Sequence, residues 1–255
     1  MSRSSLSVVV ITYNEAHRIG RCLESVAGVA DEMVVVDSGS TDTTVEIAER
    51  CGARVVHQPF LGYIEQKNYA TEQARYDWIL SLDADEVLTD GLREEIRKAV
   101  DAPSCQGYSM PRLTCFCGHW VRYGGWYPDR KLRLYDRRFG RWTGTNPHDQ
   151  YKLQDGSKEA RLSGDLLHYS YDSLSDHLKQ IDRFSLIGAT ALYERGKRSS
   201  ILKMLVKPLA RFVRGYFLQT GFLDGLTGLV IAANSAHAVF LKYYRLYRIQ
   251  HQKAA

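Results

Sequence analysis

The sequence predicts an α/β fold: a mostly parallel sheet flanked by helices, with a C-terminal helical extension. Three observations carry this reading. Short apolar runs rich in β-branched residues stop abruptly at polar or acidic residues, helix-like stripes separate those runs, and the stretch beyond Tyr171 starts and continues as helix.

Leu6-Ser-Val-Val-Val-Ile11 is the first such run and reads as a strand covered on both faces. Between Glu15 and Ala27, Ile19, Leu23 and Val26 recur at three- and four-residue intervals, which predicts a helix ended by Gly28. Met33 to Val36 is a second strand that stops at Asp37. Thr41 or Asp42 then caps a helix to about Arg50, with Gly52 just beyond, and Arg54 to His57 is a third strand. The segment from Gly62 to Ala74 is helical in character. Trp78 to Leu82 is a fourth strand, ending in Asp83-Ala-Asp85-Glu86. Such alternation implies right-handed crossovers and a ligand edge at the carboxyl ends of the strands. From Gly107 to Tyr169 the segments are short, aromatic and Gly-rich, as in antiparallel strands and loops. Ser173-Leu-Ser-Asp176 opens a helix that keeps its stripe to Gly196.

A chain of 255 residues with 44% hydrophobic and 25% charged content holds one substantial core plus an appendage and is unlike a disordered protein. We divide it at 1–170 and 171–255. The net charge of +5 suits phosphate-bearing ligands or anionic lipid without demanding a nucleic-acid surface. Five cysteines form no even framework, and the apolar run at Leu6 is shorter than a signal-peptide core, so a cytoplasmic protein is expected. Cys115, Cys117 and His119 share one face if their strand continues, but a fourth zinc ligand is not evident, and buried thiols are the commoner outcome.

Two carboxylates at Asp83 and Asp85 point the same way on a continuing strand, so both can reach one divalent cation, Mg2+ or Mn2+. The bland alternative is a capped turn. Asp37 ends another apolar strand and is followed by Ser38-Gly-Ser-Thr-Asp42, a turn rich in donors and acceptors, while Thr12-Tyr-Asn-Glu15 ends the first strand on the same edge. No Gly-x-Gly-x-x-Gly follows either strand and no Gly-Lys-Ser/Thr loop occurs, which argues against dinucleotide and P-loop folds.

Taken as a set, Val10-Ile-Thr-Tyr-Asn-Glu15, Val35-Val-Asp-Ser-Gly-Ser-Thr-Asp42, Gln66-Lys-Asn-Tyr-Ala70 and Leu82-Asp-Ala-Asp-Glu86 resemble the inverting family 2 glycosyltransferases, whose GT-A fold is Rossmann-like. The match runs from Leu6 to about Tyr169. The resemblance implies a nucleotide-sugar half over about 1–100 and an acceptor half over about 101–170. It gives nucleotide-sugar contacts to Thr12, Asn14, Glu15, Asp37, Ser38, Lys67, Asp83 and Ala84, and the cation to Asp83 and Asp85. Gly124-Gly-Trp-Tyr-Pro128, Arg133-Leu-Tyr135, Pro147-His-Asp149 and Leu167-His168 look like the lipopolysaccharide core β-glucosyltransferase subgroup. This narrower resemblance adds His168 as a candidate third ligand, with a purely structural histidine as the alternative. Members of that subgroup more often carry Glu where Asp149 stands. Inversion by single displacement needs one base opposite the leaving diphosphate, and Asp149 is the candidate. Trp126, Arg130 and Arg133 are candidates for the acceptor cleft, though such residues also cover sheet faces.

After Arg195, Lys197, Arg198, Lys203, Lys207, Arg211 and Arg214 alternate with Ile201, Leu202, Leu205, Leu209, Phe212 and Phe217. This basic amphipathic pattern fits either the headgroup region of an anionic membrane or a helix packed on the catalytic domain, and Pro208 is expected to kink it. The expected partners are a nucleotide-sugar donor, UDP-linked by the resemblance, a lipid-linked saccharide and a membrane surface on the cytoplasmic side, with no nucleic acid. Two rivals remain at this level: a sugar nucleotidyltransferase, which would release pyrophosphate, and a catalytically idle membrane- or glycan-binding adaptor.

Overall fold

The computed structural model describes residues 4–145 and 148–252. Its first half runs β1 (Leu6–Thr12), α1 (Ile19–Val26), β2 (Glu32–Asp37), α2 (Thr44–Arg50), β3 (Arg54–His57), α3 (Tyr63–Gln73), β4 (Trp78–Asp83), β5 (Glu86–Leu88) and α4 (Asp90–Asp101). Then come β6 (Gly107–Phe116), β7 (His119–Val121), β8 (Asp129–Asp136), β9 (Gly140–Thr145), β10 (His148–Leu153), β11 (Glu159–Arg161) and β12 (Leu166–Tyr171). The last helices are α5 (Leu174–Glu194), α6 (Ile201–Val213) and α7 (Gly225–Gln252), with a π turn at Arg214–Leu218 and a 3-10 turn at Gly221–Asp224 between the latter two.

The main sheet has the order β3-β2-β1-β4-β8-β6-β12-β5, and β9 and β10 form a separate antiparallel pair. Strands β3, β2, β1 and β4 are mutually parallel, whereas β8 and β6 add antiparallel pairs. Alternation along the strands splits their side chains between two cores. Val8, Val10, Val35, Leu80 and Leu82 join Leu23, Val26, Leu92 and Ile96 of α1 and α4, while Val9, Val34, Val36 and Ile79 join Ala70 of α3 with Trp142 and Tyr151. Parallel register then lines up the polar ends: Thr12 pairs with Asp37, Asp37 with His57, and Ile11 with Asp83.

Helix α1 starts at Ile19, four residues later than the stripe predicts. Asn14 adopts a left-handed conformation (φ 54°), and the backbone N–H groups of Asn14 and Glu15 donate to Ser40 Oγ and Thr44 Oγ1, so the chain is pinned to the neighbouring loop before it can wind. Gly52, at φ 83°, takes the left-handed turn that ends α2, as expected. Helix α4, capped by Thr89 accepting from Leu92 N–H, and the three-residue β5 were not anticipated. Cys117 sits at φ 49° in the β6–β7 turn and is exposed while Cys115 is buried, so the two thiols do not share a strand face.

The chain divides into two compact units, Met1–Arg112 with Asp129–His168, and Leu113–Pro128 with Tyr169–Ala255. The predicted cut near residue 170 therefore misses that the hairpin segment 113–128 belongs with the C-terminal helices. The reason is Asp224, buried, which accepts the backbone N–H groups of Tyr123 (2.9 Å) and Arg122 (3.4 Å) and lies 3.3 Å from His119 Nε2. Close backbone packing reinforces it: a Cβ on Gly221 would come 3.3 Å from Gly124 Cα, and one on Gly228 would come within 1.8 Å of the Gly221 carbonyl oxygen. Gly228→Ala is accordingly expected to cost at least about 1–3 kcal/mol, read as a lowered thermal midpoint.

Within the same unit, His177 lies against Phe116, Trp126 and Tyr171, and Asn234 Nδ2 donates to its Nδ1 (3.1 Å). Burial holds the imidazole below its ordinary value. A base that is harder to protonate in the fold contributes stability above its unfolded pKa of about 6.5 and loses it as the pH falls towards the lower folded value. Thermal midpoints at about pH 7.5 and about pH 5 should therefore differ, and His177→Phe should shrink the difference.

Candidate active site

The first part of the site is a turn built on Asp37. Its carboxylate, 1% exposed, accepts from Gly39 N–H (3.0 Å), Ser40 N–H (2.9 Å) and Ser40 Oγ (2.5 Å). Asn14 Oδ1 accepts from Thr41 N–H at 2.8 Å, joining the ends of β1 and β2. Asp37 thus shapes the loop, and Ser38, half-buried, receives Gln66 Nε2 (3.1 Å). Thr12 Oγ1 is buried without a hydrogen-bond partner at the same strand edge.

Helix α3 organises the rest. Three consecutive residues reach three different elements: Gln66 bonds Ser38 and the Gln58 carbonyl, Lys67 reaches two carboxylates, and Asn68 accepts from Trp142 N–H and donates to its carbonyl, both at 3.0 Å. Lys67 Nζ lies 3.0 Å from Asp83 Oδ1 and 2.8 Å from Asp149 Oδ2, with its side chain 4% exposed and 4.6 Å from the centroid of the Trp142 ring. One buried cation therefore joins the acidic end of β4 to a carboxylate far along the chain.

Behind Asp83 stands a second cation. Arg133 Nη2 is 2.5 Å from Asp83 Oδ2 and 2.7 Å from Glu86 Oε1, and Glu86, fully buried, also meets Arg112 (3.2 Å) and accepts from Asp83 N–H (3.0 Å). Arg112 continues to Asp129 at 2.7 Å. The chain of alternating charge is thus Asp129, Arg112, Glu86, Arg133, Asp83, Lys67, Asp149. Burial alone would favour a neutral Asp83, but Arg133 and Lys67 outweigh it and hold that carboxyl well below the usual carboxylate range. Arg133 is likewise resistant to deprotonation: desolvation opposes its charge, and Asp83 and Glu86 more than restore it.

Asp85 points elsewhere, and its Oδ2 is 3.2 Å from His168 Nε2. Two donors bound side by side at about 2.1 Å from one ion stand about 3 Å apart, so this pair fits a divalent cation. Both oxygens of Asp83 face cations instead, and among the described residues no three His, Cys, Asp or Glu side chains converge.

Of the other predicted residues, Ala84 is buried in the core and Glu15 Oε2 lies 3.5 Å from Arg18. Arg133 does not line an open cleft, because it is buried between two acids. Arg130 is exposed and donates to the Leu162 carbonyl (3.2 Å), and Trp126 belongs to the aromatic cluster of the C-terminal unit. Pro147 lies outside the described residues, as does the side chain of His148. Sequence reasoning missed Gln66, Asn68, Glu86, Arg112 and Trp142. Gln66, Asn68 and Glu86 stand in the stretches that carry the family resemblance but have no role assigned from the sequence, and Arg112 and Trp142 left no signal there.

The fold extends over 96% of this chain and 88% of the mannosyltransferase PcManGT from Pyrobaculum calidifontis, determined in complex with GDP-Man and Mn2+ (TM-score 0.56, 16% identity). This architecture is that of the GT-A glycosyltransferases. Residues 7–163 match the profile of Glycosyl transferase family 2, and the chain belongs to that family. Relatives include an uncharacterized glycosyltransferase of Rickettsia bellii, 34% identical over 94% of this chain and 85% of its own length. The lipopolysaccharide core biosynthesis glycosyltransferase LpsC of Rhizobium meliloti is 30% identical over 98% of this chain and 94% of its own. The protein is a glycosyltransferase.

Proposed function

We propose that the protein is a metal-dependent, inverting hexosyltransferase that moves a hexose, with glucose from UDP-glucose as the leading donor, onto a lipid-linked saccharide such as the lipopolysaccharide inner core. The observation that carries this reading is the position of Lys67 between Asp83 and Asp149. In the proposed reaction Asp149 takes the proton of the acceptor hydroxyl as its oxygen bonds the anomeric carbon. The bond from that carbon to the diphosphate breaks on the opposite face, inverting the centre. Lys67 is the buried cation that meets the departing diphosphate, with Arg133 keeping Asp83 in place beside it. Thr12, Asn14, Glu15, Asp37 and Ser38 frame the nucleoside, partly through the loop that Asp37 folds. Asp85 and His168 would hold Mg2+ or Mn2+, which supplies charge neutralisation for the leaving group.

The acceptor class is supported by the likeness to LpsC over nearly the whole chain, and the work is assigned to the cytoplasmic face of the inner membrane, with peripheral attachment. The test is a product assay with UDP-glucose and GDP-mannose, each with Mn2+, Mg2+ or a chelator, on lipopolysaccharide core acceptor. Transfer with release of nucleoside diphosphate, abolished by chelation and by Asp85→Ala, is expected. Release of pyrophosphate, or full activity of Asp85→Ala, would overturn the assignment.

A further inference from the structure

The segment from Ile201 to Leu229, all within the C-terminal unit, presents large apolar side chains to solvent. Leu202 is 70% exposed, Leu209 65%, Leu218 75% and Leu226 76%, with Leu205 and Leu223 also more than half exposed. At 3.6 residues per turn Leu202, Leu205 and Leu209 fall on one face of α6, while the exposed Lys203, Lys207 and Arg214 fall together on its flank. Asp224 is the only acid from Arg195 to the end, and it is buried on the backbone of the hairpin. This surface therefore combines apolar side chains with cations and carries no exposed carboxylate.

We infer that the outer face of α6, with the turns Arg214–Leu218 and Gly221–Asp224 and the start of α7, inserts in plane into the surface of an anionic lipid bilayer. This surface refines the peripheral attachment proposed above and rests on it, independently of the catalytic assignment. Anionic headgroups neutralise Lys203, Lys207 and Arg214 while the leucines leave water. A second copy of the chain fits less well, because a face-to-face pairing brings like charges together. Spanning is also disfavoured, although Gly221–His251 is long and apolar enough by length and composition to cross a membrane. Helix α7 is tied to α5 through Asn234 with His177 and through Arg245 with Asp182 and Ser185, and α5 exposes Lys179, Asp182 and Arg183. A spanning α7 would drag those charges into hydrocarbon.

The test is flotation of the purified full-length chain with vesicles of phosphatidylcholine, alone or mixed with phosphatidylglycerol. Wild type is expected to float with the anionic vesicles and less with the neutral ones. Leu202→Asp/Leu209→Asp should lower the partition coefficient by at least about tenfold, and Lys203→Glu/Lys207→Glu should weaken binding to anionic vesicles alone. Both pairs are exposed, so thermal midpoint and transfer to a soluble saccharide acceptor should stay at wild-type values. Undiminished flotation of the leucine variant would overturn this surface while leaving peripheral attachment standing. Absence of wild-type flotation would remove both, and a wild-type dimer that the leucine variant dissociates would assign the face to a second copy. Loss of transfer activity in solution bears on the catalytic reading alone.

Discussion

Asp149→Asn is expected to cut the turnover for sugar transfer by about 10²–10⁴-fold while the KM for donor stays nearly unchanged. The amide keeps the size of the side chain and still offers an oxygen to Lys67 Nζ, which retains its second partner Asp83 at 3.0 Å. What disappears is the group proposed to take the acceptor proton, so the loss is expected in kcat rather than in donor binding. Steady-state transfer measured against donor concentration separates the two. Asp149→Glu restores the carboxylate one methylene farther out and should recover much of the rate. A similar loss in both variants would mean that the shape at this position matters and that the base lies elsewhere.

The second large effect is on stability. Arg133→Met should destabilise the protein by about 3–5 kcal/mol, seen as a lower denaturant midpoint with an unchanged slope. Glu86 is fully buried, and without Arg133 only Arg112, 3.2 Å away, offsets its charge. Desolvating a carboxylate is costly, and removing one member of a buried pair exposes that cost. The double variant Arg133→Met/Glu86→Gln removes the charge together with its partner and should recover part of the loss. If it were no more stable than Arg133→Met alone, the destabilisation would come from lost packing against Trp142, whose ring centroid lies 5.7 Å from the guanidinium, rather than from the stranded acid.

Legibility of the fold followed the physics of each element. Strands β1, β2 and β4 stood out because both faces are buried, which writes them as continuous apolar runs closed by Thr12, Asp37 and Asp83. Helix α5 was equally plain, since Ser173 caps it by accepting from Asp176 N–H, as the pattern at its start suggests. By contrast β5 has three residues, too few to show a period, and the affiliation of segment 113–128 depends on Asp224 about a hundred positions later. The site divides in the same way. Single residues at strand ends could be named from local pattern. The pairings of Lys67 with Asp149 and of Arg133 with Asp83 span 82 and 50 positions, and no local signal encodes them. Local pattern therefore makes Arg133 a candidate for the acceptor cleft or a sheet face, whereas its surroundings are the acids Asp83 and Glu86.

The run Gln66-Lys67-Asn68 has a consequence for how this chain can change in length. Because each residue turns a helix by about 100°, inserting or deleting one position between Tyr63 and Gln66 would swing all three side chains away from Ser38, the carboxylates and Trp142 simultaneously. Indels should therefore be tolerated in the exposed Pro59–Leu61 stretch and be lethal to activity a few positions later, a boundary that a single-codon insertion scan would trace directly.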